Sequence, residues 1–255
     1  MARSRLGQNF LYNPSILGRI VDAAGLEKDD TAIEIGPGPG RLTRLLAEKV
    51  KRVIAIELDH VLFEKLRGDL IGYSNVEVIQ GDALAFRYED IGRFKVVSNI
   101  PYYITTPLIF RLLDAGRQLR TMTLTIQKEV AERIVASPGG KDYGVLSIMV
   151  QYHAATELKF IIPKEEFIPV PRVDSAVVHI TTLRNPAVAA KDEEIFFKVV
   201  KTAFSQRRKT LANSLKGLKK DMRDVLCRAA IDPARRPETL SLVEFARVAD
   251  ALAED

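Results

Sequence analysis

Thr31-Ala32-Ile33-Glu34-Ile35-Gly36-Pro37-Gly38-Pro39-Gly40 is the stretch on which the fold turns. Its apolar and β-branched start predicts a strand over Thr31 to Ile35, and Leu42, Leu45, Leu46 and Val50 predict a helix behind it. Glycines between a strand and a helix let a ligand approach the backbone closely, which makes Gly36 and Gly38 candidate binding positions. The spacing is G-x-G-x-G with prolines in the gaps, not the dinucleotide G-x-G-x-x-G, and this disfavours a nicotinamide oxidoreductase.

The next strand, Arg52 to Ile56, ends at Glu57, roughly twenty residues beyond the loop, where an acid can accept hydrogen bonds from ribose hydroxyls. A third strand, Val76 to Ile79, leads into Gln80-Gly81-Asp82-Ala83, and Asp82 can accept from an adenine amine. Either acid could equally be an ordinary helix cap or a solvated turn residue. Phe94 to Ser98 read as a fourth strand, stopped by Pro101. A helix starts near Thr105, Thr106 and Pro107. Between them, Asn99-Ile100-Pro101-Tyr102 lies in a loop at a strand's carboxyl end, where open α/β sheets bind ligands. The Asn99 side-chain oxygen and the Ile100 carbonyl can accept from the two N–H groups of a planar amine, and Tyr102 offers a flat face for a base. The plainer alternative is a turn capping a buried strand, with Tyr102 in the core. Taken together, the glycine loop, Glu57, Asp82 and Asn99 form an ordered rim suited to a nucleoside.

Further along, Met122 to Ile126 read as a fifth strand and Lys128 to Val135 as a helix. A glycine-flanked loop around Lys141-Asp142-Tyr143 precedes a helix over Leu146 to Tyr152. Leu158 to Ile162 and Val173 to Leu183 read as strands, a possible hairpin pair. Two prolines hold the connection Glu166 to Ser175 extended. It could present Phe167 opposite Tyr102 as the second jaw of a base clamp, or Phe167 could plug the core. At the start of the chain, Arg5-Leu6-Gly7-Gln8-Asn9-Phe10-Leu11 precede a helix with Asn13 as N-cap and Gly25 as its stop.

A composition shift at 184–190 predicts a linker dividing 1–184 from a helical domain over 185–255. There Arg207, Arg208 and Lys209, with Lys216, Lys219 and Lys220, make a candidate phosphate-binding face, or a merely solvated one. The 255 residues are 47% hydrophobic with a net charge of +5, a modest pointer to a polyanionic partner. The single cysteine, Cys227, excludes a disulfide framework, and no stretch is long enough to span a membrane. Arg3 and Arg5 precede no apolar signal region, and a mitochondrial presequence would be longer, so a bacterial cytosol is expected. His60, His153 and His179 lack ligand spacing, and no metal is expected.

Five segments in order resemble the ribosomal RNA adenine N6-dimethyltransferases, and within them the bacterial small-subunit branch. They are Gly7-Gln8-Asn9-Phe10-Leu11, Glu34 to Gly40, Asn99-Ile100-Pro101-Tyr102, Phe167 to Ser175, and Phe204-Ser205-Gln206-Arg207-Arg208-Lys209-Thr210-Leu211. The resemblance implies a Rossmann-like class I S-adenosylmethionine (SAM) methyltransferase domain of the α/β class with a small all-α C-terminal domain. It also implies that Asn9 and Leu11 close over the methionine end of SAM with Gly36 beneath. Glu57 would bind the ribose, Asp82 the adenine, and Asn99 the target amine. The implied substrate is small-subunit rRNA in an assembling particle, dimethylated at two adjacent adenines by a monomeric enzyme. An rRNA-binding assembly factor, with methylation secondary, is the other reading. Intact Asn99, Tyr102 and Glu57 favour the enzyme.

Overall fold

The computed structural model describes residues 9–206, 208–219 and 221–254. Gly7, Gln8, Arg3, Arg5, Arg207 and Lys220 from the motifs above lie outside the described residues. In chain order the elements begin with β1 (Phe10–Leu11), α1 (Pro14–Ala23), β2 (Thr31–Ile35), α2 (Arg41–Ala47), β3 (Arg52–Glu57), α3 (His60–Asp69) and β4 (Val76–Gln80). Next come β5 (Phe94–Asn99), α4 (Thr105–Leu113), β6 (Leu119–Gln127), α5 (Lys128–Val135), α6 (Val145–His153), β7 (Ala154–Ile162), β8 (Phe167–Ile168) and β9 (Ser175–Thr182). The remainder is helical: α7 (Glu193–Phe204), α8 (Leu211–Ser214), α9 (Met222–Arg228) and α10 (Leu242–Ala253).

The chain forms two compact units, one running to Ala131 and including Ala155–Thr182, the other Glu132–Ala154 with everything from Leu183 onward. The first unit is built on a seven-stranded sheet of order β4-β3-β2-β5-β6-β9-β7. Strands β2, β3, β4, β5 and β6 pair in parallel, and β9 joins antiparallel to β6. Its central strands are apolar on both faces because both are covered; Ala32, Ile33, Val53, Ile54, Val96 and Val97 are all fully buried. The strand order reverses between β2 and β5, the topological switch point where a crevice opens at the carboxyl ends. Local signals set the helix ends. Asn13 accepts from the Ser15 N–H ahead of Pro14, and Gly25 closes that helix at φ +55°.

A separate two-stranded sheet pairs β1 with β8, setting Phe10 against Ile168 and Leu11 against Phe167. Asn13 Nδ2 donates to Glu166 at 2.9 Å, so the start of α1 is tied to the same connection.

The helical unit departs from the expected boundary at 184/185. Residues 132–154 belong to it because Tyr143, Ile148 and Tyr152 are buried in one core with Phe196, Val199, Val200 and Phe245. The Tyr152 ring lies 4.8 Å from that of Phe196 and 5.1 Å from that of Phe197. The glycine-flanked loop is therefore an anchor: Tyr143 is fully buried, and the Gly139 N–H donates to the Glu238 carbonyl at 2.7 Å. Nor is 184–190 a free linker. The Leu183 and Ala187 N–H groups donate to the His153 and Tyr152 carbonyls, and Val188 and Ala190 pack on the core. α10 opens with the Ser241–Glu244 capping box that its sequence predicts.

Candidate active site

The carboxyl ends of β2, β3, β4 and β5 converge on the crevice. After β2, Gly36, Gly38 and Gly40 all take positive φ, at 66°, 53° and 73°. A side chain on Gly38 would also collide with Phe10, whose ring carbon stands 2.4 Å from where a Cβ would sit. The loop thus needs glycine for both conformation and space. The Gly36 N–H donates to the Ile56 carbonyl, and the Gly81 N–H to the Glu57 carbonyl, so both loops are tied to the end of β3.

Glu57 closes β3 with its carboxylate buried, accepting from the Gly38 N–H at 3.2 Å and the Asp59 N–H at 3.0 Å. Burial pushes its pKa up, and those two backbone donors oppose the shift. Asp82 is exposed, its Oδ1 turned to the Leu84 N–H at 2.8 Å. Glu57 and Asp82 line one cavity of about 140 Å³. Leu58, Ala83, Leu84, Tyr103 and Ile104 line it too, none of them given a role by the sequence alone. Leu58 and Tyr103 are respectively 47% and 57% exposed, large apolar faces turned outward at a site with acids on its rim. That pairing suits a flat heterocycle with a polar edge.

Asn99, at the end of β5, donates through Nδ2 to the Asn9 carbonyl at 2.9 Å. That contact orients the amide and leaves Oδ1 as its acceptor. Asn99, Ile100, Pro101 and Tyr102 line a small cleft with Asn9, Phe10 and Gly36. The expected loop therefore exists, and it meets the N-terminal segment at Asn9. Tyr102 is half-buried, and its hydroxyl bonds Ser175 Oγ at 2.7 Å. Ser175 is fully buried and fixed in the β6–β9 ladder opposite Gln127. One residue before Asn99, the buried Ser98 hydroxyl donates to the Ile35 carbonyl and accepts from the Ile35 N–H at 3.2 Å.

Phe167 is not the second jaw expected of it. It is fully buried, packed with Leu11, Ile16, Leu17, Ile20 and Val177 beneath the β1–β8 pair. The residue that faces outward from β8 is Ile168, because successive strand residues point to opposite faces. Leu11 is likewise a core residue, 6% exposed; with Glu34, Gly36, Phe10 and Asn99 it also lines a cavity of about 30 Å³. Glu34 is buried, and its Oε2 has no hydrogen-bond partner among the described residues. Burial raises its pKa to about 8; the Thr43 hydroxyl opposes that and the Glu57 charge adds to it.

The family described as Ribosomal RNA adenine dimethylase matches residues 1–254. The chain belongs to that family. The Ribosomal RNA small subunit methyltransferase A of Geobacillus thermodenitrificans is 45% identical to it, over 98% of this chain and 90% of that protein. A solved dimethyladenosine transferase from Plasmodium falciparum has a TM-score of 0.82 at 28% identity, covering 94% of this chain and 95% of that one. The solved 23S rRNA methyltransferase ErmE has a TM-score of 0.77, also at 28% identity, covering 96% and 100%. The two structures share the fold equally in sequence terms, so the branch is drawn by the small-subunit relatives. The fold is that of class I SAM-dependent methyltransferases.

The cofactor of this dimethylase is S-adenosylmethionine, and the crevice fits it. A glycine loop at positive φ leaves room against the backbone, the orphaned Glu34 Oε2 is a buried polar atom beside Gly36 with a bond still to make, and Glu57 and Asp82 suit a nucleoside's hydroxyls and amine. In the helical unit of the dimethylase, Arg208 and Lys209 are exposed in the turn after α7, not on a helix face. Together with Lys216 they have no ion pair among the described residues, which leaves their charge available to an anion.

Proposed function

We propose that this protein methylates the N6 amines of two adjacent adenines near the 3′ end of small-subunit rRNA, twice each, in the assembling subunit. The observation that carries this reading is Asn99: its Nδ2 is held by the Asn9 carbonyl, which leaves Oδ1 as its acceptor, and it lines one small cleft together with Ile100. An adenine amine is a poor nucleophile because its lone pair is delocalised into the ring. Two acceptors that hold both N6 hydrogens favour a pyramidal nitrogen, whose lone pair is then localised for attack. After one methyl is installed a single N–H remains, and either acceptor can hold it, so one cleft serves both transfers. Bound SAM would supply a methyl group on a sulfonium, whose sulfur leaves as a neutral thioether, and the amine would release one proton to water for each methyl gained.

Glu57 and Asp82 bind the nucleoside, Gly36 and Gly38 give the backbone approach, and Asn9 and Leu11 enclose the methionine end. Tyr102, held by Ser175, gives the target base a face on which to stack. Orientation supplies much of the rate. The base must leave its stack to enter the cleft. Arg207, Arg208 and Lys209 hold rRNA phosphates. The enzyme works as a single chain in the cytosol, where the small subunit is assembled.

Incubation with labelled SAM and unmethylated small subunits, followed by nucleoside mapping, tests the reading. Two label-bearing N6,N6-dimethyladenines at neighbouring positions are expected. Label on another nucleoside, or none, overturns it.

A further inference from the structure

With Phe167 in the core, the exposed part of this connection is the segment that follows it. Ile168-Pro169-Val170-Pro171-Arg172-Val173 exposes three apolar side chains within six residues: Ile168 at 61%, Val170 at 58% and Val173 at 44%. Single exposed aliphatics are ordinary, but a run of them beside a functional cleft marks a contact surface. Arg172 is also exposed and has no partner among the described residues.

Both ends of this segment are fastened to the cleft. At one end Ile168 pairs with Phe10 in the β1–β8 sheet, above the buried Phe167. At the other, Asp174 Oδ1 accepts from the Lys164 N–H at 3.1 Å, and the Asp174 carbonyl accepts from the Lys128 N–H at 3.0 Å. The next residue, Ser175, bonds Tyr102. Phe10 and Tyr102 both line the cleft that contains Asn99, so each end of the segment is joined to a residue of that cleft. Two prolines restrict its backbone and reduce the entropy lost when a partner settles on it.

We propose that residues 168–173 are an RNA-contacting rim that receives the nucleotides flanking the target adenine. This rests on reading the Asn99 cleft as the target-base pocket. When the target leaves its stack, its neighbours are left with uncovered faces. Ile168, Val170 and Val173 cover those faces, and Arg172 takes an adjoining phosphate. Apolar contact to unstacked bases, with a cation for the backbone, is how single-stranded RNA is held. Continuity with the cleft and the unpaired arginine favour RNA over a ribosomal protein as the occupant.

The test uses the full chain, saturating SAM and unmethylated small subunits. Ile168→Ser/Val170→Ser and Arg172→Gln should each raise the KM for subunits about 5- to 10-fold. Turnover at saturating subunits should stay within about two-fold of wild type, and melting temperature and calorimetric SAM affinity should be unchanged. A photoreactive benzophenone amino acid placed at Val170 should cross-link to rRNA within a few nucleotides of a methylated adenine. Cross-linking to a ribosomal protein, or an unchanged KM in folded variants, overturns the proposal. Wild-type turnover on the same subunits separates the two readings: its failure removes the assigned reaction itself, whereas normal turnover with indifferent variants removes only the rim.

Discussion

The two units use charge in opposite ways. In the sheet unit, Glu34 and Glu57 are taken out of water, at 2% and 1% exposure, together with the hydroxyls of Ser98, Thr123, Thr125 and Ser175. In the helical unit the buried residues are almost all apolar or aromatic, and Arg208, Lys209 and Lys216 stand in solvent. Buried polar groups are costly unless held, so they accumulate where geometry matters. Exposed cations cost little and act at a distance on a polyanion. The proposed function thereby sets the chemistry in the first unit and a phosphate-binding face in the second, and each assignment can be broken separately.

The largest effect is expected at Asn99. Asn99→Ala removes an acceptor aimed at a reacting amine, and a roughly 10²–10³-fold loss of single-turnover rate is expected, comparable to deleting one oriented hydrogen-bonding group elsewhere. Subunit binding should be nearly unaffected. Rapid-quench measurement on preformed complexes checks this; near-normal methyl transfer would remove the role.

Glu34 comes next. Its native pKa of about 8 lies above the ordinary value of 4.5, so the folded protein holds this proton more tightly than the unfolded chain does. The associated stability is fully present below about pH 4.5 and is lost as the pH rises towards 8. Ligand-free wild type should therefore weaken relative to Glu34→Gln between pH 5 and 8, by about 2–4 kcal/mol. Urea denaturation across that range reads the difference, and parallel curves would show that Glu34 is ionised at no cost.

Glu57→Ala should weaken SAM binding by about 1.5–3 kcal/mol, the worth of a charge-assisted hydrogen bond. Calorimetry on the folded variant reads it, and unchanged affinity would sink the assignment. The smallest effect should come from the other unit. Arg208→Ala/Lys209→Ala should lower the slope of log affinity for subunits against log salt by roughly 0.7–0.9 for each phosphate no longer neutralised, with SAM affinity constant. An identical slope would return these residues to the status of a solvated turn.

Much of the site was legible because its residues stand at punctuated positions. A glycine run, an acid ending a strand and an Asn before a proline each announce a loop at a strand's carboxyl end, and the places of Gly36, Glu57, Asp82 and Asn99 at the crevice were read that way. Phe167 was open to two readings for a physical reason. Its face depends on β8 pairing with a strand more than 150 residues earlier in the chain, and nothing local records that partner. Residues 132–154 were misassigned for the same reason: an apolar stripe shows that a helix is buried, not in which core. Leu58 and Tyr103 were missed because an apolar residue beside a motif looks the same whether it faces a core or a ligand.

Ser98 shows how little material separates the two halves of the chemistry. Beyond the paired residues Ile33 and Val96 the strands β2 and β5 diverge, and Ile35 would lose both backbone partners on that side. One hydroxyl takes up both, donating to the carbonyl and accepting from the N–H. The residues immediately following are Gly36 and Asn99, which the proposed function sets beneath the cofactor and against the target amine. On that reading the gap between donor and recipient of the methyl group is gauged by a single oxygen atom, and Ser98 is the spacer that sets one strand end against the other.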